Sequence, residues 1–330
     1  MAIAAVLFLI IFALGATAYW YYLYSPAPRV PPLSAAIQRG RVRVGDRQRS
    51  YLAYVPAKLP SGSALVIALH GSGMDGMRMR EWTGYEFDRM ADQRGFAVLY
   101  PEGYRGNWND CRKNATFAAK RENIDDISFI RALIDRFKYQ HAIDAKRVYA
   151  FGYSNGGHMA FRLAIEACDS FAAIAAIAAS LPTPDASSCP QRGSTSRVML
   201  VNGTDDPINP YRGGLVTIFG FAGRGTVMSS EASARTFAER NGITISPIAA
   251  PNLHGRPNDP TWVEILTWSS DGEPFSRLYT IYGGGHVIPQ QAFRFRRLLG
   301  RTTTALNAPS EAIGFFEGKD IPCLTPAVYT

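Results

Sequence analysis

RVYAFGYSNGGHMAFRLA, residues 147–164, is the stretch on which the fold is decided. Its first part, Val148 to Tyr153, is apolar at every position but the glycine, the composition of a strand buried on both faces. From Asn155 onward the apolar residues recur at helical spacing. Gly152-Tyr153-Ser154-Asn155-Gly156 stands at the junction and fits G-x-S-x-G. A serine on such a sharp strand-to-helix turn projects its hydroxyl above the sheet, and side chains two residues to either side would clash with that geometry. Ser154 is therefore the expected nucleophile.

Outward from this unit the pattern repeats. ALVIALHG (64–71), FAVLYP (96–101) and RVMLVNG (197–203) read as further buried strands. EWTGYEFDRMADQRG (81–95), IDDISFIRALIDRFKYQ (124–140) and SSEASARTFAERNG (229–242) carry helical spacing. Strand and helix alternate, as in βαβ units around a mostly parallel sheet. VRVGDRQRSYLAYVP (42–56) alternates around a Gly45-Asp46 turn and predicts an antiparallel hairpin at the start. SRLYTIYGGGH (276–286) predicts a last strand running into a loop, and SEAIGFFEG (310–318) a closing helix. Residues 207–228 and 243–275 are rich in Gly, Pro and Asn and read as loops around a substrate rim.

A serine hydroxyl needs a neighbouring imidazole to become a nucleophile, and the chain holds five histidines. His70, His141, His158 and His254 are accounted for by packing or surface roles. His286 follows a strand across Gly283 to Gly285, which leaves it free to reach back over the sheet edge. The acid should follow a strand between nucleophile and histidine, and GTDDP after RVMLVN offers Asp205 and Asp206. Asp206 is preferred, with Asp205 expected to cap the turn. The backbone N–H groups of Ser72, in His70-Gly71-Ser72-Gly73, and of Asn155 are the expected oxyanion donors. Trp108, Phe219 and Phe221 are the expected apolar substrate wall.

Taken together, LHGSG (69–73), YPEGYRGNWND (100–110), NIDDISFIRALID (123–135), the stretch at 147–164, VNGTDDPINPYRGG (201–214) and YTIYGGGHVIP (279–289) resemble the polyhydroxybutyrate depolymerase-type esterases, a family that includes feruloyl and acetylxylan esterases. The resemblance covers roughly residues 40 to 318. It implies an α/β-hydrolase fold, with a mostly parallel central sheet and helices on both faces, the N-terminal hydrophobic segment lying outside it. It also implies an exported ester hydrolase without metal or organic cofactor, whose triad maps onto Ser154, Asp206 and His286. Where similar enzymes often carry a cysteine pair, this chain has Ile243 after Asn-Gly and no partner before Ser269. No aromatic-rich appendage resembles a polymer-binding module, which favours soluble esters or oligomers. Two readings stay open: a peptidase or thioesterase on the same triad, and a membrane-tethered protein that kept the fold and only binds a ligand.

Composition bounds the rest. With 330 residues, 47% hydrophobic and 19% charged, the chain can bury a large core, and its charge of +8 is scattered without a nucleic-acid signature. The densest basic run, FRFRRLLGR (293–301), is assigned no function. The first 28 residues hold no Lys, Arg, Asp or Glu, and Ala2 to Tyr24 is almost wholly apolar. That segment is expected to be a signal peptide or a membrane anchor, with Ala16-Thr17-Ala18 favouring cleavage and Tyr19 to Tyr24 favouring an interfacial belt. Residues 25–36 form a Pro-rich linker, 37–320 the catalytic domain and 321–330 a tail. Cys111, Cys168, Cys189 and Cys323 show no metal-ligand spacing; Cys168 with Cys189 is the preferred pair among three connectivities. No protein partner is expected.

Overall fold

The computed structural model describes residues 2–221 and 223–318. Ten strands form one sheet. β1 (Gln38–Val44) and β2 (Arg47–Tyr54) make the expected hairpin, and β2 pairs antiparallel with β4 (Ala97–Pro101). From β4 the sheet continues in parallel through β3 (Leu65–Leu69), β5 (Val148–Tyr153), β6 (Ala173–Ile177), β7 (Arg197–Gly203) and β12 (Glu273–Tyr282). It ends in antiparallel β11 (Trp262–Ser270) and β10 (Ile248–His254). A separate small hairpin pairs β8 (Gly214–Leu215) with β9 (Thr226–Val227).

Successive side chains of a strand point to opposite faces, so each central strand feeds two cores. In β3, Leu65, Ile67 and Leu69 join Phe129, Leu133 and Phe137 of α5 (Asp126–His141), Met159 and Phe161 of α6 (Asn155–Glu166), and Phe237 of α7 (Ser230–Arg240). Val66 and Ala68 of the same strand face Met79 of α2 (Gly76–Trp82), Phe87 and Met90 of α3 (Glu86–Arg94), and Ile313 and Phe315 of α8 (Ala308–Phe316). All five residues of β3 are buried, which is why the strand reads as a continuous apolar run.

Three expectations need correction. EWTGYEFDRMADQRG is not one helix: Gly84 and Tyr85 both adopt positive φ, ending α2 and starting α3 afresh. Residues 243–275 are not loops but include β10 and β11. The β10 edge is exposed at six of its seven positions and carries Pro251 beside a register shift, so no buried face marks it in the sequence. The disulfide joins Cys111 to Cys189, while Cys168 is free and exposed. Cys323, like the 321–330 tail, lies outside the described residues.

Ahead of the sheet, α1 (Ala2–Ala18) continues into a π-helical turn, Tyr19–Leu23. Among the described residues no helix is long and apolar enough to cross a membrane. A short helix, α4 (Ala118–Arg121), sits in the loop after β4.

Candidate active site

Ser154 caps α6 with φ 54° and ψ −116°, a conformation that L-residues rarely hold. The sharpness of this turn explains both glycines. A Cβ on Gly152 would overlap the carbonyl of Gly156, and one on Gly156 would overlap the carbonyls of Leu69 and His70. The elbow is thus pressed against the end of β3, beside the loop that follows it.

His286 Nε2 lies 2.9 Å from Ser154 Oγ, and its Nδ1 lies 2.7 Å from Asp206 Oδ2. Asp206 Oδ1 accepts from the N–H groups of Ile208 and Asn209, each at 2.8 Å. With one oxygen spent on the turn and the other facing the imidazole, the carboxylate holds Nδ1 as the donor and leaves Nε2 to accept. The histidine backbone is fixed as well: its N–H donates to Leu299 at 2.7 Å and its carbonyl accepts from the buried Tyr153 hydroxyl at 2.8 Å. Burial, with the Asp206 carboxylate adding to it, pushes the Tyr153 phenol well above its ordinary range, so it stays a donor. Asp205, by contrast, is exposed and receives the Thr204 hydroxyl; the turn is capped by Asp206 itself.

Asn155 opens α6, where the N–H has no acceptor within the helix and the positive end of the helix dipole favours an anion. Ser72 follows β3 on the neighbouring loop. That loop is held by His70, whose Nε2 accepts from the Gly103 N–H at 2.9 Å while Nδ1 meets the Gly71 carbonyl at 2.7 Å. Burial lowers His70 to about 4, so the ring is neutral and this bridge between two loops keeps its polarity at neutral pH. His70 is therefore a positioning residue, a role that its place at a strand end did not reveal.

Trp108 does not line a substrate wall. It is fully buried, its indole N–H donates to the His70 carbonyl at 2.9 Å, and its backbone N–H donates to Asn155 Oδ1 at 2.8 Å. Asn155 Nδ2 in turn donates to Asp110 Oδ2 at 2.7 Å, and Arg112 closes on both Asp110 oxygens, the shortest contact 2.6 Å. Burial works to raise the Asp110 carboxyl, but the Arg112 guanidinium outweighs it and holds the group below its usual range. Phe219 and Phe221 are exposed near the tip of the β8–β9 hairpin. From the same hairpin Arg224 Nη1 donates to Ser72 Oγ at 2.6 Å, and Ser72 Oγ donates to Asn107 Oδ1. Sequence reasoning missed Arg224 because nothing in its local pattern separates it from a solvated arginine.

His158 is buried one turn along α6, its Nδ1 without a hydrogen-bond partner, and desolvation keeps it neutral. His141 sits in the last turn of α5 and His254 on the exposed β10. Cys111, Glu166 and Cys189 come close enough to be weighed as a metal site, but the disulfide uses both thiols.

The family model described as Esterase PHB depolymerase matches residues 49–228. The chain is 30% identical to the putative esterase NocK of Nocardia uniformis subsp. tsuyamanensis, over 89% of this chain and 87% of that one. It is 25% identical to poly(3-hydroxyalkanoate) depolymerase C of Paucimonas lemoignei, over 72% of this chain and 58% of that protein. Among solved structures, the acetyl xylan esterase from Aspergillus awamori is similar with a TM-score of 0.56 at 16% identity, over 86% of this chain and 100% of that one. That last likeness speaks for the fold.

Proposed function

Because the chain belongs to the esterase PHB depolymerase family and is a carboxylic ester hydrolase, we propose that it works through an acyl-enzyme on Ser154, with His286 as base and Asp206 as the residue that orients it. The observation that carries this reading is the continuous relay from Ser154 Oγ to His286 Nε2 at 2.9 Å and from Nδ1 to Asp206 at 2.7 Å. Ser154 Oγ attacks the ester carbonyl as its proton passes to Nε2. The oxyanion meets the N–H groups of Ser72 and Asn155, each of which contributes about 10²- to 10³-fold where such donors have been removed elsewhere. The imidazolium, stabilised by Asp206, then protonates the departing alkoxide. Water attacks the acyl-enzyme by the same route and frees the acid and the serine.

Phe219 and Phe221 offer an apolar wall for the acyl or alcohol part, and soluble esters or oligomers are the proposed substrates. An exported location is supported by the Cys111–Cys189 disulfide, since such bonds persist in oxidising compartments. In this reading the apolar segment 2–24 delivers the chain to the membrane.

Fluorophosphonate labelling and hydrolysis of short p-nitrophenyl esters, wild type against Ser154→Ala, test the proposal. Labelling should vanish in the variant and kcat should fall by about 10⁴-fold or more. A wild type that binds esters but takes no label would point instead to a binding protein that kept the fold.

A further inference from the structure

Arg224 is a half-buried cation one hydrogen bond from the loop that donates to the oxyanion. No carboxylate among the described residues lies within ion-pair distance of it. The nearest acid in the electrostatic sense, Asp110, is already spent: both of its oxygens are taken by Arg112, and one also by Asn155. Arg112 and Arg224 stand on the same ring, each with its guanidinium carbon 5.9 Å from the centroid of Phe117. Among the described residues, one of these arginines thus has a carboxylate partner and the other does not. Burial, and then the charge of Arg112, lower the Arg224 guanidinium from its ordinary range, as expected of a cation short of a counter-ion.

The position is built rather than incidental. Arg224 N–H donates to the Val216 carbonyl at 2.8 Å, and Val216 N–H to the Gly225 carbonyl at 3.0 Å, so the hairpin ladder sets where the side chain leaves the backbone. Gly225, at φ 95°, lies against the Arg112 side chain. One N–H of Arg224 goes to Ser72, and a guanidinium has five donors in a planar fork that matches a carboxylate.

We propose that Arg224 binds a free carboxylate on the substrate, so that this esterase selects esters whose acyl part ends in an anionic group. The acyl side is assigned as part of the proposal: the alcohol departs toward His286 Nε2, which protonates it, and Arg224 is tied to Ser72 rather than to the loop that carries His286, which leaves it to the acyl arm. The inference rests on the acyl-enzyme reading and narrows its substrate class to hemiesters of dicarboxylic acids or acids of similar charge.

The test compares p-nitrophenyl valerate with mono-p-nitrophenyl glutarate, probes of similar length that differ in the terminal carboxylate. The wild type should favour the glutarate ester in kcat/KM. Arg224→Gln should lower the glutarate-to-valerate ratio by tenfold or more, chiefly through KM, and Arg224→Lys should recover part of it. A wild type without preference, or an equal loss on both esters in Arg224→Gln, would overturn the proposal and leave Arg224 only steadying the Ser72 loop. A second arm is independent of turnover: monomethyl glutarate binding to Ser154→Ala, measured by calorimetry, should weaken tenfold or more when Arg224→Gln is added. Unchanged binding would overturn the carboxylate site. Failure of the wild type to hydrolyse either ester would instead count against the acyl-enzyme reading, and the calorimetry would still decide the site.

Discussion

Asp205 and Asp206 are neighbours in the chain and stand in opposite environments. Asp206 has 1% of its side chain exposed and splits its oxygens between the His286 imidazole and two turn N–H groups. Asp205 faces solvent with the Thr204 hydroxyl. Replacing Asp206 by Asn presents an amide that no longer fixes the tautomer or stabilises the imidazolium, so kcat on p-nitrophenyl esters should fall by about 10⁴-fold. Asp205→Asn removes only an exposed charge and should stay within about threefold, since its field is screened by water. Steady-state kinetics of the two variants decide the assignment, and a larger loss at Asp205 would reverse it. The Gly152–Gly156 elbow and the glycine run before His286 are local signals, which is why the two residues that the fold brings within hydrogen-bond distance could be picked out of the sequence. The network of Asn155, Asp110 and Arg112 was not. It joins residues 45 positions apart through contacts that only the folded sheet creates.

At the scale of elements, the loops after β4 and β6 are tied together by Cys111–Cys189, 78 residues apart in sequence. Lys113 N–H donates to the Ala186 carbonyl at 2.9 Å and Ser188 N–H to the Cys111 carbonyl at 2.7 Å, so the covalent bond closes a seam that hydrogen bonds already outline. A loop of that size gives a chain-entropy contribution of about 4 kcal/mol. The double variant Cys111→Ser, Cys189→Ser should therefore lose about 2–5 kcal/mol in urea unfolding. Wild type under reductant should shift its midpoint the same way. A shift under about 1 kcal/mol would mean that the noncovalent seam alone holds the loops. Cysteine count alone could not choose among three connectivities, and the preferred Cys168 lies just beyond α6 with its thiol exposed and free. The β6 strand, Ala-Ile-Ala-Ala-Ile, was equally hard to see. Its alanines carry little strand preference, and only burial between β5 and β7 makes the run a strand.

Taken whole, the molecule is a two-faced sheet with an apolar segment set ahead of it. Of the parallel strands, β3, β4, β5, β7 and β12 were readable as apolar runs buried on both sides, β6 being the exception, while the β10–β11 margin was hidden because one of its strands faces solvent along most of its length. The segment before residue 25 contributes little to that architecture. Its described anchor on the body is the Tyr21 ring beneath Arg297, 4.0 Å from the guanidinium carbon to the centroid, an exposed cation–π contact that contributes about 0.5–1 kcal/mol. Meanwhile Ile11, Phe12 and Leu14 each expose two thirds of their surface, a patch that associates with other apolar surfaces in water. A chain beginning at Ser25 should therefore melt within about 2–4 °C of the full-length protein, a shift equivalent to losing that one contact. It should hydrolyse short esters at the same rate and remain soluble without detergent, whereas the full chain should require detergent or lipid. Thermal melting and sedimentation of the two chains provide the comparison, and a truncated chain that unfolds or loses turnover would make residues 2–24 part of the catalytic body.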